Sequence, residues 1–388
     1  MQRILLPTAR GTLEDYTLRA SEPIAPVAPG TRLNRIAYSA AHVVADPLAA
    51  CEPWLEAAID WDATIAYRRR LWSMGLGVAE AMDTAQRGMG LDWPTSLELI
   101  RRSLEAARDV PGAVIASGCG TDHLAPDAAK SVDDVIRAYE EQMAAIERLG
   151  GKLIVMASRA LARVARGPAD YERVYSRVLS QAKQPVVLHW LGEMFDPALA
   201  GYWGGKDVGA CMDTALGIIA AHADKVDGIK ISLLDKHREI DMRRRLPEGV
   251  RMYTGDDFNY AELIAGDGEH HSHALLGIFD AIAPAASAAL GALAAGDVRR
   301  FNEILEPTVP LSRHMFQSST RFYKTGVVFM AWLNGHQKHF VMVGGQQSTR
   351  SLQHLAELFR LADAAGLIED PARSTSRMRT LLALHGVE

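Results

Sequence analysis

Asp227-Gly228-Ile229-Lys230-Ile231-Ser232-Leu233-Leu234-Asp235 reads as a short buried strand with an amine in its middle. Val226, Ile229, Ile231, Leu233 and Leu234 are apolar, and the β-branched ones among them favour extended backbone. Side chains alternate across a strand, so Lys230 and Ser232 share one face and Ile229 and Ile231 the other. A buried ammonium loses its hydration, which lowers its pKa and favours the neutral, nucleophilic form. The plainer reading is a strand-edge lysine that reaches back to water.

Seven more apolar runs surround this one: 35–44, 77–82, 113–118, 152–157, 185–191, 250–253 and 275–283; the central run itself covers 228–234. Helical patterns lie between most of them. Trp93-Pro94-Thr95-Ser96 opens a helix over 97–107 with Leu97, Leu99, Ile100, Leu104 and Ala107 on its apolar face. Ser131-Val132-Asp133-Asp134 is a capping box with Asp in place of Glu, and Gly150-Gly151 stops the helix it starts. A third helix over 170–183 ends at Gln184-Pro185. Eight rounds of strand and helix imply a parallel sheet that can close, so the fold class expected is α/β, a TIM (β/α)8 barrel. An open doubly wound sheet is the runner-up. No GxGxxG turn joins a strand to a helix here; Gly75-Leu76-Gly77 and Gly118-Cys119-Gly120 are fragments.

The barrel is placed over 34–290. Residues 1–33, with Pro7, Pro23, Pro26, Pro29 and Gly30, make a short N-terminal arm, irregular or strand-like. Residues 291–388 make a C-terminal helical extension. Helices are expected over 285–295, 297–305, 322–333 and 351–365, with Ser348 a cap and Gly366 a stop. Val328, Phe329 and Trp332 fall at helical spacing and read as core.

At 388 residues, 48% of them hydrophobic, the chain can bury a full core. A formal net charge of -5 gives no basic surface for nucleic acid. No apolar run reaches the ~18 residues of a membrane helix, and the N-terminus lacks a signal-peptide core. Cys51, Cys119 and Cys211 are odd in number and widely spaced, which suits a reducing cytoplasm rather than a disulfide framework or a CxxC metal site.

Barrels of this class carry their active sites at the C-terminal strand ends. The first run ends with His42. The second offers Glu80, Asp83, Thr84 and Gln86, the third Ser117, Cys119 and Thr121, and the fourth Ser158 and Arg159. The fifth offers His189 and the sixth Lys230 and Ser232. The seventh ends in Thr254-Gly255-Asp256-Asp257, and the eighth carries Asp280. The result is a polar, mixed-charge rim around a lysine, as a carbonyl-processing site requires.

Gly228-Ile229-Lys230, Tyr253-Thr254-Gly255-Asp256-Asp257, Ile282-Ala283-Pro284 and Ala294-Ala295-Gly296-Asp297 fall in an order that resembles the C-terminal half of the dihydrodipicolinate synthase / N-acetylneuraminate lyase superfamily of Schiff-base aldolases. The resemblance spans roughly 35–310. It is specific around Lys230 and Gly255 and weak before residue 110, so the chain looks like a divergent dihydrodipicolinate-synthase-like branch. It implies a lyase or aldolase in which Lys230, on the G-[IV]-K strand, forms a covalent imine with a small-molecule carbonyl substrate, without metal or organic cofactor. It also implies a homodimer or homotetramer.

Two departures bear on substrate. The family's proton-relaying tyrosine, in a Y-N-x-P context, is replaced by His189 in Val187-Leu188-His189-Trp190. An imidazole suits proton transfer near neutral pH better than a phenol does. The family's G-T-T-G-E loop, which grips a keto-acid carboxylate, is here Met82-Asp83-Thr84-Ala85-Gln86, and Asp83 would repel a carboxylate. A keto-sugar or other polyol-like carbonyl compound held by Asp83, Gln86 and Asp257 fits these residue types better. Lys230 and His189 are therefore the expected catalytic pair, with Asp83, Thr84, Gln86, Thr254, Gly255, Asp257, His42 and Asp280 as substrate-binding residues. The acidic, hydroxyl-rich rim suggests carbohydrate metabolism.

Each has a structural alternative. Thr84, Gln86 and the aspartates also serve as loop bonders or helix caps. Glu269-His270-His271-Ser272-His273 invites a metal reading, but precedes the eighth strand and so belongs to the opposite face of the barrel. Arg243-Arg244-Arg245 reads as a solvated or subunit-contact face. Two other classes remain: a metal-assisted isomerase or hydrolase using His42, Glu80, His189 and Asp257, and a non-catalytic barrel.

Overall fold

The computed structural model describes residues 2–19 and 22–387. Two short strands come first, β1 (Arg3–Pro7) and β2 (Leu13–Thr17), paired antiparallel as a hairpin. Residues 22–36 follow without regular structure. The expected arm is thus half strand and half irregular; its residues 1, 20 and 21 lie outside the described residues.

Eight parallel strands then close a barrel: β3 (Ala37–Ala40), β4 (Gly77–Glu80), β5 (Ile115–Cys119), β6 (Leu153–Met156), β7 (Val186–Leu191), β8 (Val226–Ser232), β9 (Arg251–Thr254) and β10 (His273–Leu276). Each pairs with the next in sequence, and β10 returns to β3 with Leu275 opposite Tyr38. The doubly wound alternative is excluded by this closure. Strand alternation fills the lumen from one parity: Tyr38, Ala79, Ala116, Ile154, Val187, Tyr253 and Leu275 pack together inside. The other parity, including Leu188, Trp190, Ile229 and Ile231, packs outward against the helices.

The helix signals resolve into real caps. Ser131 and Asp134 form the reciprocal capping box at the head of Val132–Arg148, and Gly150 follows its end with φ 81°. Asp92 caps Trp93–Arg108 with Pro94 in the first turn. The eighth apolar run is strand only in its first part. Its strand stops at Leu276, and Ile278–Ala281 is a short helix, so Asp280 sits on a helical turn beyond the strand. An apolar run alone does not distinguish a buried strand from a buried helix.

Past Ala283–Ala294 the chain is helical, as expected, and two helices missing from the sequence reading appear, Val309–Met315 and Pro371–Leu384. Ser351, not Ser348, caps Leu352–Ala364, because Ser348 is still inside a 3-10 turn. In Tyr323–Leu333 every residue is buried, Val328, Phe329 and Trp332 among them. The helix docks over the barrel with all its sides covered, as one apolar all round must. Of the basic run, Arg243 is buried, donating to the Leu263 carbonyl and to Ser272, whereas Arg244 and Arg245 are exposed. No helix among the described residues is long and apolar enough to cross a membrane.

Candidate active site

Lys230 points into the barrel from β8, and His189 stands opposite it on β7. Lys230 keeps 8% of its surface exposed and His189 1%. Among the described residues Lys230 makes no hydrogen bond or ion pair. Burial lowers its pKa from the ordinary lysine value, while the charges of Asp257 and Asp83 partly oppose that shift. Burial also holds the His189 imidazole well below its usual value, and the Lys230 charge acts in the same direction. Its Nε2 lies 3.4 Å from Ser232 Oγ, and its Nδ1 is buried without a partner. A neutral imidazole with an unfilled nitrogen can accept a proton.

The lysine fits because residue 255 has no side chain. A Cβ on Gly255 would stand 2.7 Å from Lys230 Cε, 2.3 Å from Ser232 Oγ and 2.6 Å from the Ile231 carbonyl oxygen. Gly255 therefore acts by absence, giving the lysine its path.

Asp257 is 4% exposed and accepts from the Ile278 backbone N–H at 3.0 Å. Burial pushes its carboxyl up to about 7, with that hydrogen bond and the Lys230 charge opposing. Asp83 lies on the wall of two adjoining cavities. The inner one, about 80 Å³, is bounded by Asp83, Thr121, Met156, Arg159 and His189. The outer one, about 390 Å³, shares Asp83, Arg87, Arg159 and Asp196 and adds Arg321, Tyr323 and Lys324. Thr84 shares a 2.7 Å hydrogen bond with the Tyr323 hydroxyl, which ties the second strand's loop to the C-terminal extension.

Other expected residues are placed elsewhere. Thr254 has the outward parity of β9 and donates to Glu239 Oε2 at 2.9 Å, between strand and helix. Gln86 turns from the cavities and donates to the Val343 carbonyl at 2.7 Å. His42 and Asp280 bind each other: the His42 backbone N–H donates to Asp280 at 2.6 Å, and its Nδ1 lies 2.9 Å from both carboxylate oxygens. Both are buried, and the Tyr67 hydroxyl donates to the Asp280 backbone carbonyl. This pair joins the segment after the barrel's first strand to the short helix after its last. Glu80 faces outward into a buried bidentate pair with Arg68, 2.9 Å at each contact. It is thus separated from His189 and Asp257, and among the described residues no three His, Cys, Asp or Glu side chains are grouped to hold a metal ion.

Sequence reasoning missed Tyr323 and Lys324. The available signal was a lysine inside a stretch otherwise apolar on every side, Tyr323 to Leu333.

Residues 4–387 match the model of a protein family described as "Protein of unknown function (DUF993)". The chain belongs to this family. No curated protein matches it. Among solved structures it is similar to a putative dihydrodipicolinate synthetase from Pseudomonas aeruginosa, at 16% identity and a TM-score of 0.63, over 85% of this chain and 99% of that one. It is also similar to YagE, a prophage protein of the dihydrodipicolinic acid synthase family from E. coli K12 solved with pyruvate. That match has 14% identity and a TM-score of 0.63, over 92% and 100% of the two chains. A dihydrodipicolinate synthase from Thermotoga maritima matches at 14% identity and a TM-score of 0.61, over 87% and 100%. At such identities the likeness is one of fold. The DUF993 chain thus has the dihydrodipicolinate synthase fold that its Lys230 and Gly255 motifs resemble.

Proposed function

We propose that this DUF993 protein is a lyase of the class I aldolase type that forms an imine between Lys230 and the carbonyl of a keto-sugar or 2-keto acid. The observation that carries the reading is a buried lysine without a counter-ion contact, across from a buried histidine, at the C-terminal end of the barrel. The fold shared with proteins of the dihydrodipicolinate synthase family, one of them solved with pyruvate, supports it.

Neutral Lys230 Nζ adds to the carbonyl carbon. Asp257, which titrates near neutrality, gives a proton to the carbinolamine hydroxyl, and water leaves. The resulting iminium accepts an electron pair. In aldol cleavage the pair comes from the breaking C–C bond, while the β-hydroxyl passes its proton to His189. In dehydration it comes from the α C–H bond, whose proton passes to His189; the enamine then expels the β-hydroxyl, which takes that proton and departs as water. After cleavage the enamine is protonated, and in either branch hydrolysis of the imine returns the lysine. This scheme uses no metal or organic cofactor. A homodimer or homotetramer in the cytoplasm belongs to the same proposal.

Borohydride reduction with a panel of 2-keto acids and keto-sugars, read by intact mass and peptide mapping, tests it. A stable adduct on Lys230 that disappears in Lys230→Ala is the expected result. No adduct from any compound on demonstrably folded protein would overturn the imine.

A further inference from the structure

The imine scheme uses Lys230, His189 and Asp257 but leaves the cations at the cavity mouth without a task. Lys324 is only 4% exposed. Its Nζ donates to the Arg321 carbonyl at 3.0 Å and lies 3.4 Å from Met89 Sδ, both uncharged acceptors. Among the described residues it forms no ion pair. Arg321 is exposed, stacks 4.9 Å from the Phe322 ring, and forms none either. Arg159 is held through Nε by Asp196. Its Nη1 passes over Gly88, where a Cβ would stand 3.2 Å away and φ is +71°.

These three side chains line the single outer cavity of about 390 Å³. Burial lowers Lys324 to about 8, and the charges of Arg159 and Arg321 push the same way, against Asp83 and Asp196. Like charges crowded around an open space, two of them without a counter-ion, attract an anion into it. Guanidinium forks and an ammonium point charge are the groups that hold phosphate and carboxylate.

We propose that the outer cavity binds an anionic group, a phosphate or a carboxylate, carried by the substrate at the end remote from its carbonyl, through Lys324, Arg321 and Arg159. This deepens the imine reading and rests on it for the word substrate. Asp83 connects the two places, since its charge acts on both Lys230 and Lys324 and its side chain borders both cavities. Lys230 lines neither cavity, but the inner one reaches its strand neighbour His189, so a molecule extending inward from the outer cavity would bring its carbonyl toward Lys230 and leave its anion at Lys324. The substrate class becomes a keto-sugar phosphate or a keto acid with a second carboxylate.

Isothermal titration of the full chain with inorganic phosphate, and separately with malonate, tests the site. Wild type and Lys230→Ala should bind saturably and alike. Lys324→Met should weaken binding about tenfold, the loss of one charge-assisted contact. The exposed Arg321→Ala should weaken it several-fold, which keeps the test decisive if the buried variant fails to fold. Tighter phosphate than malonate assigns a phosphate ester, and the reverse a carboxylate. No saturable binding of either anion, or binding unchanged by both mouth substitutions, overturns the proposal. Adduct formation with uncharged keto-sugars is read independently, so loss of the anion site and loss of the imine are told apart.

Discussion

Lys230 is set by two opposed effects. Burial favours its neutral form, while Asp257 and Asp83 favour the charged one, and burial wins. The sign of each part is testable without a substrate. Asp257→Asn removes a charge that raises the lysine, so the amine should become reactive at lower pH. Peptide-mapped acetic anhydride labelling from about pH 6 to 10 should show the Lys230 limb moved to lower pH than in wild type. An unmoved limb would show that Asp257 is not its counter-charge. The same substitution deletes the group assigned to protonate the leaving hydroxyl, so adduct formation should slow even as the free amine becomes more reactive. Neither effect follows from Gly255, whose role is to leave space for the lysine's stem.

Between elements, the seventh strand is joined to the helix that precedes it by a buried carboxyl. Glu239, on Lys236–Arg245, accepts from Thr254 of β9 and from Ser272, which lies just before β10. Burial pushes Glu239 up to about 8, against those two hydrogen bonds. Its folded pKa is therefore raised above the unfolded 4.5, so its contribution to stability is complete below that value. The contribution is lost as pH rises toward and through 8. Glu239→Gln stays neutral throughout, so the variant should gain on wild type between about pH 5 and 8.5, on the order of 4 kcal/mol. Denaturant melts at the two pH values measure it. A constant difference would mean that the carboxyl titrates alike folded and unfolded.

On the scale of the molecule, the arm and the extension hold each other. The β1–β2 hairpin rests on Leu352–Ala364, where Asp363 accepts from the Tyr16 hydroxyl at 2.7 Å and from the Arg19 backbone N–H at 3.0 Å. Asp363 is 2% exposed, so Asp363→Ala strands those donors and should cost about 1–3 kcal/mol. Hydrogen exchange should then rise first in the hairpin, with the barrel strands still protected. Uniform loss of protection would instead make hairpin, extension and barrel one cooperative unit. The extension also reaches the cavities, since Tyr323 meets Thr84 and Lys324 lies at the mouth. The barrel supplies the floor of the site and the C-terminal helices supply part of its roof.

What the sequence determined by itself was local in origin. Alternation along 226–232 put Lys230 and Ser232 on one face, Ser131 and Asp134 marked a helix start, and eight strand–helix rounds implied closure. Each depends on residues a few positions apart, where backbone geometry relates spacing directly to direction. Tertiary structure alone decided which polar residues meet. Thr254 is one residue from Gly255 yet lies on the other side of the sheet, because parity assigns them opposite faces and only barrel closure says which face is the lumen. His42 and Asp280 met because the last strand closes on the first, and so were withdrawn from the cavity. Lys324 came to the mouth because an apolar helix docked there, and apolar burial rewards contact area without encoding which surface is covered.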